Sequence, residues 1–326
     1  MTKSPEGGQS RRLIVTGSTG TLGHNLLATV SRWPNTEILA LLRAHSNPIA
    51  KFDGVRYEQI DFFQRDAVAE IIKSFQPTSL IHCAASGMRF PKPNWFDLIR
   101  FNVDVSLSLC ESVAQIRDCQ FVYISTGLSY RDQGRLLREE DALDTVHPYG
   151  ASKAAADILM RAAAAEFGVP MVVLRPFSFS GVGDTSHRLF PSLLRAAAAG
   201  QPFELSPGDQ VRDHCAVEDI AEGITQSMLL RQDLGPGTHV FNLGSASEVR
   251  LRELVEDVVD QLGLKMELKF CARDYVRFEP KFLSADISRA CQILKWRPRT
   301  NFAYAIWRLA QESFPTLQVK KPRTSL

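Results

Sequence analysis

The stretch RLIVTGSTGTLGHNLLATVSRW, residues 12–33, limits the fold more than any other part of the chain. RLIVTG (12–17) is a short apolar run ending in glycine, the pattern of a buried strand. GTLGHNLLATVSRW (20–33) reads as a helix. Between them, Gly17, Gly20 and Gly23 let the backbone turn sharply and come close to a ligand. The first N–H groups of a helix lack partners within it, and the helix dipole favours negative charge there. A strand, a glycine loop and a helix in this order therefore form a binding site for the pyrophosphate of a dinucleotide. The spacing is G-x-x-G-x-x-G rather than G-x-G-x-x-G. The bland alternative is a tight strand–helix turn with no ligand.

The rest of the N-terminal half repeats the alternation. Strands are expected at 36–43, 55–61, 78–85, 119–126 and 170–177, and helices at 20–33, 66–75, 94–116 and 149–167. Most of the strands are apolar throughout, which indicates a parallel sheet covered on both faces. The expected fold is α/β: a Rossmann doubly wound parallel sheet with a smaller, mixed C-terminal domain. After 177 the regularity fades. Helices are expected near 187–199, 217–231, 250–262, 286–294 and 301–313, and a strand at 238–244 that returns to the main sheet. The expected Rossmann domain is 11–177 plus about 217–244, and the second domain is 178–216 and 245–316, with tails at 1–10 and 317–326.

Bulk composition removes several functions. With 38 basic and 36 acidic residues the net charge is +2, so nothing argues for nucleic acid or an anionic membrane as partner. No apolar run approaches the roughly 18 residues of a membrane span. The polar N-terminus, MTKSPEGGQS, lacks the apolar core of a signal peptide. The six cysteines (83, 110, 119, 215, 271, 291) form no C-x-x-C and are expected to be reduced thiols in a cytoplasmic protein. The seven histidines show no metal-ligand spacing.

Three positions add chemistry. Arg43 ends the second strand, where an acidic residue would bind the ribose 2′-hydroxyl of NAD. An arginine suits a 2′-phosphate, so NADP is the preferred cofactor, with NAD possible. Asp61, after the third strand, is a candidate acceptor for the adenine amino group, or else a helix cap. In HPYGASKAAAD (147–157), Tyr149 and Lys153 share one helix face. Thr126 closes the fifth strand at the sheet edge where ligands of such folds sit. A phenol, an ammonium and a hydroxyl that meet there can move a proton to or from an oxygen while hydride moves at its carbon. Free tyrosine has a pKa of about 10, and a nearby ammonium and a positive nicotinamide ring are expected to lower it.

Gly17, Gly20, Gly23, Thr126, Tyr149 and Lys153 together resemble the extended short-chain dehydrogenases/reductases, specifically the NAD(P)-dependent epimerase/dehydratase family acting on nucleotide sugars. HCAAS (82–86), Asn102 in RFNVDVS, LRPFSFSG (174–181), VRDHCAVEDIAEGI (211–224), FNLGSA (241–246) and ADISRACQILKWRP (285–298) match further landmarks over nearly the whole chain. The resemblance implies that Thr126, Tyr149 and Lys153 are catalytic. It implies cofactor contacts from Gly17, Thr19, Gly20, Thr21, Leu22, Gly23, Arg43, Asp61, Phe62, Ala84, Ala85, Tyr149, Lys153 and Pro176. It implies substrate contacts from Ser86, Met88, Thr126, Ser178, Arg212 and Arg277, with the two arginines on the substrate diphosphate. It also implies a homodimer, paired through the helices at 94–116 and 149–167. Ser178 stands where the family usually has Asn. Gly127 and Leu128 stand where its 4,6-dehydratases carry Asp-Glu, which argues against dehydration. The main expectation is an NADPH-dependent ketoreductase of a nucleotide-linked 4-keto hexose or deoxyhexose. The alternatives are a nucleotide-sugar epimerase that retains NAD(P) and a non-catalytic NADP-binding sensor or scaffold.

Overall fold

The structure is a computed structural model that describes residues 10–87 and 94–325. Seven strands form one parallel sheet: β1 (Arg11–Thr16), β2 (Thr36–Arg43), β3 (Val55–Ile60), β4 (Ser79–His82), β5 (Gln120–Ile124), β6 (Met171–Pro176) and β7 (Thr238–Leu243). Their spatial order is β7-β6-β5-β4-β1-β2-β3, and every neighbouring pair is parallel. Strand order reverses at β1 and β4, so a crevice opens beyond their carboxyl ends. The fold is the Rossmann-like doubly wound α/β fold, with a smaller C-terminal domain.

Helices cover both faces. The first set is α1 (Thr21–Val30), α2 (Arg65–Phe75), α3 (Trp95–Ile99), α4 (Val105–Ala114) and α5 (Pro148–Phe167). The second is α6 (Leu189–Ala198), α7 (Val217–Leu229), α8 (Leu251–Leu262), α9 (Ser288–Ile293) and α10 (Phe302–Ser313). Alternation along β1 divides the core. Leu13 and Val15 pack on one face with Leu26 and Leu27 of α1 and Ile220 and Ile224 of α7, while Ile14 packs on the other with Ile72, Leu109 and Met160. A third apolar core lies among α6, α8 and α10, around Leu193, Val258 and Ile306.

The helix expected at 94–116 is interrupted. Residues Arg100–Asp104 form a π-helical turn between α3 and α4. The wider turn presents Asn102 sideways. Its side chain accepts from Ser86 N–H (2.8 Å) and donates to Ser86 C=O (3.0 Å) and Ser152 Oγ (2.9 Å). Ser152 Oγ in turn donates to the Tyr149 carbonyl (2.8 Å). One π turn thus joins the loop after β4 to the start of α5. Such turns are frequent at functional sites.

Among the described residues no helix is long and apolar enough to cross a membrane, and no group of three or more His, Cys, Asp or Glu side chains could hold a metal ion.

Candidate active site

A cleft of about 1010 Å³ lies over the carboxyl ends of β1, β4, β5 and β6. Its floor is the glycine loop. Gly17 has φ +78°, and a Cβ there would come within 2.5 Å of the Ala84 backbone nitrogen. A Cβ at Gly23 would meet the Gly17 carbonyl at 2.4 Å. The loop is therefore pressed between β4 and α1 with no room for a side chain at Gly17 or Gly23. Gly20 caps α1 without a side-chain hydrogen bond, and no acidic residue occupies its first turn. Gly17, Thr19, Gly20, Thr21, Leu22 and Gly23 all line the cleft. The Thr21 hydroxyl is turned away to donate to the Gly183 carbonyl (3.2 Å), so it ties the loop after β6 to α1.

Ala84, Ala85 and Ser86 after β4, Thr126 after β5, and Pro176 and Ser178 at the end of β6 line the same cleft. Tyr149 joins them from α5, whose first turn starts with Pro148 and is capped by His147 Nδ1 accepting from Gly150 N–H (3.3 Å). Thr126 Oγ1 accepts from Leu128 N–H (3.2 Å), which leaves the hydroxyl proton free to donate. Lys153 lies one turn beneath Tyr149 and is 1 % exposed. Its Nζ sits 4.2 Å from the centre of the Tyr123 ring and has no hydrogen-bond partner. Burial pushes the ammonium down to about 7, opposed by the charge of Asp157 one turn further on.

The expectation of a lowered tyrosine is not met in the protein alone. Burial pushes the Tyr149 phenol up to about 12, and the charge that opposes this is the Arg188 guanidinium. Desolvation outweighs that charge. Tyr149 is accordingly held as a protonated donor at neutral pH.

On the substrate side, Arg212 is buried at the cleft wall. Its guanidinium donates to Glu279 Oε1 and to the Pro280 carbonyl, each at 2.7 Å. Arg277 is exposed, stacked 4.6 Å over the Phe278 ring, and is not brought to the cleft. Met88 falls outside the described residues. Sequence reasoning missed Arg188, which lines the cleft while bonded to Asp184 Oδ1 (2.9 Å) and the Phe179 carbonyl (2.7 Å). It also missed Glu279, and Ser125, whose buried Oγ has no partner. Ser125 was legible beside Thr126. Arg188 and Glu279 carried no local signal, because distant segments bring them in.

At the far end, Arg43 and Phe62 line the main cleft. Arg43, Asp61 and Phe62 also line a side pocket of about 320 Å³. Asp61 accepts from Phe63 N–H (3.0 Å), the bond of a local cap. Arg43 is exposed, lies 5.5 Å over the Phe101 ring, and has no acidic partner among the described residues. A cation in that state is available to a phosphate. Wild-type protein is expected to bind NADPH more tightly than NADH. Arg43→Asp is expected to weaken NADPH roughly 10- to 100-fold and to spare NADH. Equal dissociation constants in the wild type contradict the assignment.

Residues 13–244 match the NAD dependent epimerase/dehydratase family. The chain belongs to that family. It is 25% identical over 283 residues to a UDP-glucuronate 4-epimerase of Thermodesulfobacterium geofontis, covering 84% of each chain. It is 27% identical over 286 residues to a UDP-glucose 4-epimerase of Neisseria meningitidis serogroup B, covering 78% of this chain and 83% of the relative. Among solved structures, MoeE5 in complex with UDP-glucuronic acid and NAD superposes with a TM-score of 0.83 at 23% identity, over 94% of this chain and all (100%) of that one. UDP-glucose 4-epimerase from Brucella ovis in complex with NAD gives 0.83 at 21%, over 95% and 100%. As a member of that family the protein is an enzyme of the short-chain dehydrogenase/reductase type.

Proposed function

We propose that this family member is an NADPH-dependent ketoreductase of a nucleotide-linked 4-keto sugar. The observation that carries the reading is Tyr149 in the same cleft as the uncapped start of α1, with the unpartnered Nζ of Lys153 buried one turn beneath it and Arg43 at the far end. The residues present fit a dinucleotide. The α1 N–H groups would hold its pyrophosphate, Arg43 its 2′-phosphate, and Lys153 its nicotinamide ribose, which gives the orphaned Nζ a partner. When bound, the reduced nicotinamide supplies a hydride.

The chain's own residues do the rest. Thr126 donates to the oxygen at C4 and fixes it beside the phenol. Tyr149 passes its proton to that oxygen as the carbon gains hydride, so one carbonyl becomes one alcohol. Arg212 meets the substrate diphosphate, exchanging Glu279 for phosphate oxygens.

Epimerisation with a retained cofactor is the second reading, favoured by the names of the relatives. A panel of nucleotide-linked 4-keto sugars separates the two. Stoichiometric NADPH oxidation is expected. Protein that purifies with one equivalent of cofactor and interconverts sugar nucleotides without net NADPH loss overturns the reductase reading.

The active unit we propose is a homodimer. Trp95, Phe96 and Ile99 of α3 are 53%, 81% and 54% exposed, and Ile158 and Leu159 of α5 are 50% and 44% exposed. So much apolar surface on adjacent helices is the face of an interface. Light scattering at micromolar concentration is expected to give a dimer mass, and a monomer mass contradicts it.

A further inference from the structure

The helix that carries Tyr149 and Lys153 starts on a residue that titrates. The N-cap of α5 is His147, in extended backbone (φ −75°, ψ 120°), and its ring nitrogen Nδ1 accepts from Gly150 N–H at 3.3 Å. Caps are ordinarily Ser, Thr, Asp or Asn, whose oxygens still accept in mild acid. An imidazole accepts only while that nitrogen is bare, so the neutral ring carries its proton on Nε2. Thr145 Oγ1 accepts from His147 N–H (3.1 Å) and fixes the residue ahead of the helix. The capped turn is tightly placed: a Cβ at Gly150 would run into the Leu128 carbonyl, so the turn rests on the segment that follows Thr126. His147 lines the cleft with Tyr149, and the two rings meet edge to face, centres 6.5 Å apart.

We propose that His147 is a positioning residue for the reaction: neutral, it holds the first turn of α5 and with it the Tyr149 phenol, and its protonation undoes the cap and ends turnover in acid. The role rests on the proton-donor reading of Tyr149 above. Three effects oppose the imidazolium. Its proton takes the place of the Gly150 N–H bond, its charge sits at the positive end of the helix dipole, and the ring is half-buried. The charge that faces His147 from another element is Glu279, which favours the imidazolium but is itself bonded to Arg212 (2.7 Å). On α5 its neighbour is the Tyr149 phenol, which burial keeps neutral, and the turn Gly127–Ser129 brings no charge. Burial prevails and holds His147 below its ordinary 6.5. The unfolded chain takes up this proton from about pH 6.5 downward and the folded chain only below that, so stability tied to the cap is full above pH 6.5 and falls as pH drops through the lowered value. Lys153 gains charge as pH falls, so it produces no loss on the acid side.

Two measurements test it. The first is kcat at saturating NADPH and 4-keto sugar nucleotide for wild type, His147→Ala and His147→Asn, whose amide oxygen caps a helix without titrating. Wild type is expected to lose about three- to tenfold between pH 7 and pH 5, and His147→Asn less than about 1.5-fold. At pH 7 His147→Ala is expected to be about 3- to 30-fold slower than wild type, with asparagine restoring most of the loss. The second is the spectrum of [15N]histidine-labelled protein, assigned with the same variants, which is expected to show His147 as the Nε2–H tautomer and titrating below 6.5. The full acid loss in His147→Asn, or a ring that carries a proton on Nδ1 at pH 7, overturns the role of His147 alone. Wild type that oxidises no NADPH with any 4-keto sugar nucleotide at any pH overturns the reductase reading, and the cap then stands or falls on the spectrum.

Discussion

Tyr149→Phe is expected to lower kcat about 10²- to 10⁴-fold, the range for loss of a positioned proton donor, while leaving NADPH affinity and folding nearly unchanged. Tyr149 is 8% exposed, and its ring packs near Leu98 and Gly87, contacts that phenylalanine keeps. Only the phenol oxygen is removed. That oxygen is the proton donor proposed beside the Thr126 hydroxyl. Steady-state kinetics with a 4-keto sugar nucleotide, together with cofactor binding by fluorescence, check this. Retention of more than about a hundredth of kcat contradicts a proton-donor role for Tyr149.

Lys153→Met is expected to stabilise the cofactor-free protein while abolishing turnover. In the folded chain the Lys153 ammonium has no hydrogen-bond partner, and burial lowers it from 10.5 to about 7. The unfolded chain binds that proton up to about pH 10.5, the folded chain only up to about 7. Between those values the unfolded state carries more protons, so stability rises with pH through this window. Below pH 7 both states are protonated and the folded protein bears the full cost of the buried charge, about 5 kcal/mol. Methionine has similar length and no charge. Urea unfolding at pH 6.5 is therefore expected to show Lys153→Met more stable than wild type, with the difference shrinking toward pH 10. A variant less stable than wild type at pH 6.5 contradicts the assignment of a buried charge that costs stability. Saturating NADPH is expected to stabilise wild type more than the variant, because Lys153 then gains a partner.

These two residues also mark how far sequence reached. Their spacing placed them on one helix face, and the glycine loop placed that helix beside a cofactor site, because both signals are local. The sheet was legible for the same reason: apolar runs such as those of β1, β5 and β6 need no partner to declare themselves. The direction of the Tyr149 shift was not legible. It depends on how deeply α5 is buried, and desolvation there outweighs the one opposing charge, that of Arg188. The π turn at Arg100–Asp104 was hidden because one extra residue in a turn barely disturbs a helical pattern. The family resemblance put Arg277 at the diphosphate, yet its loop turns it onto Phe278 and out of the cleft. Arg188 does line the cleft, held by an aspartate four residues before it. Long-range placement of this kind leaves no mark in a single sequence.

The central claim is that hydride reaches a sugar carbon while Tyr149 supplies the proton. NADPH deuterated at both C4 positions, incubated with UDP-4-keto-6-deoxyglucose, tests it in one mass spectrum of the product. The account predicts one deuterium on the sugar for each NADPH oxidised by wild-type protein, and none above background with Tyr149→Phe. A product without deuterium, or equal transfer by Tyr149→Phe, contradicts it.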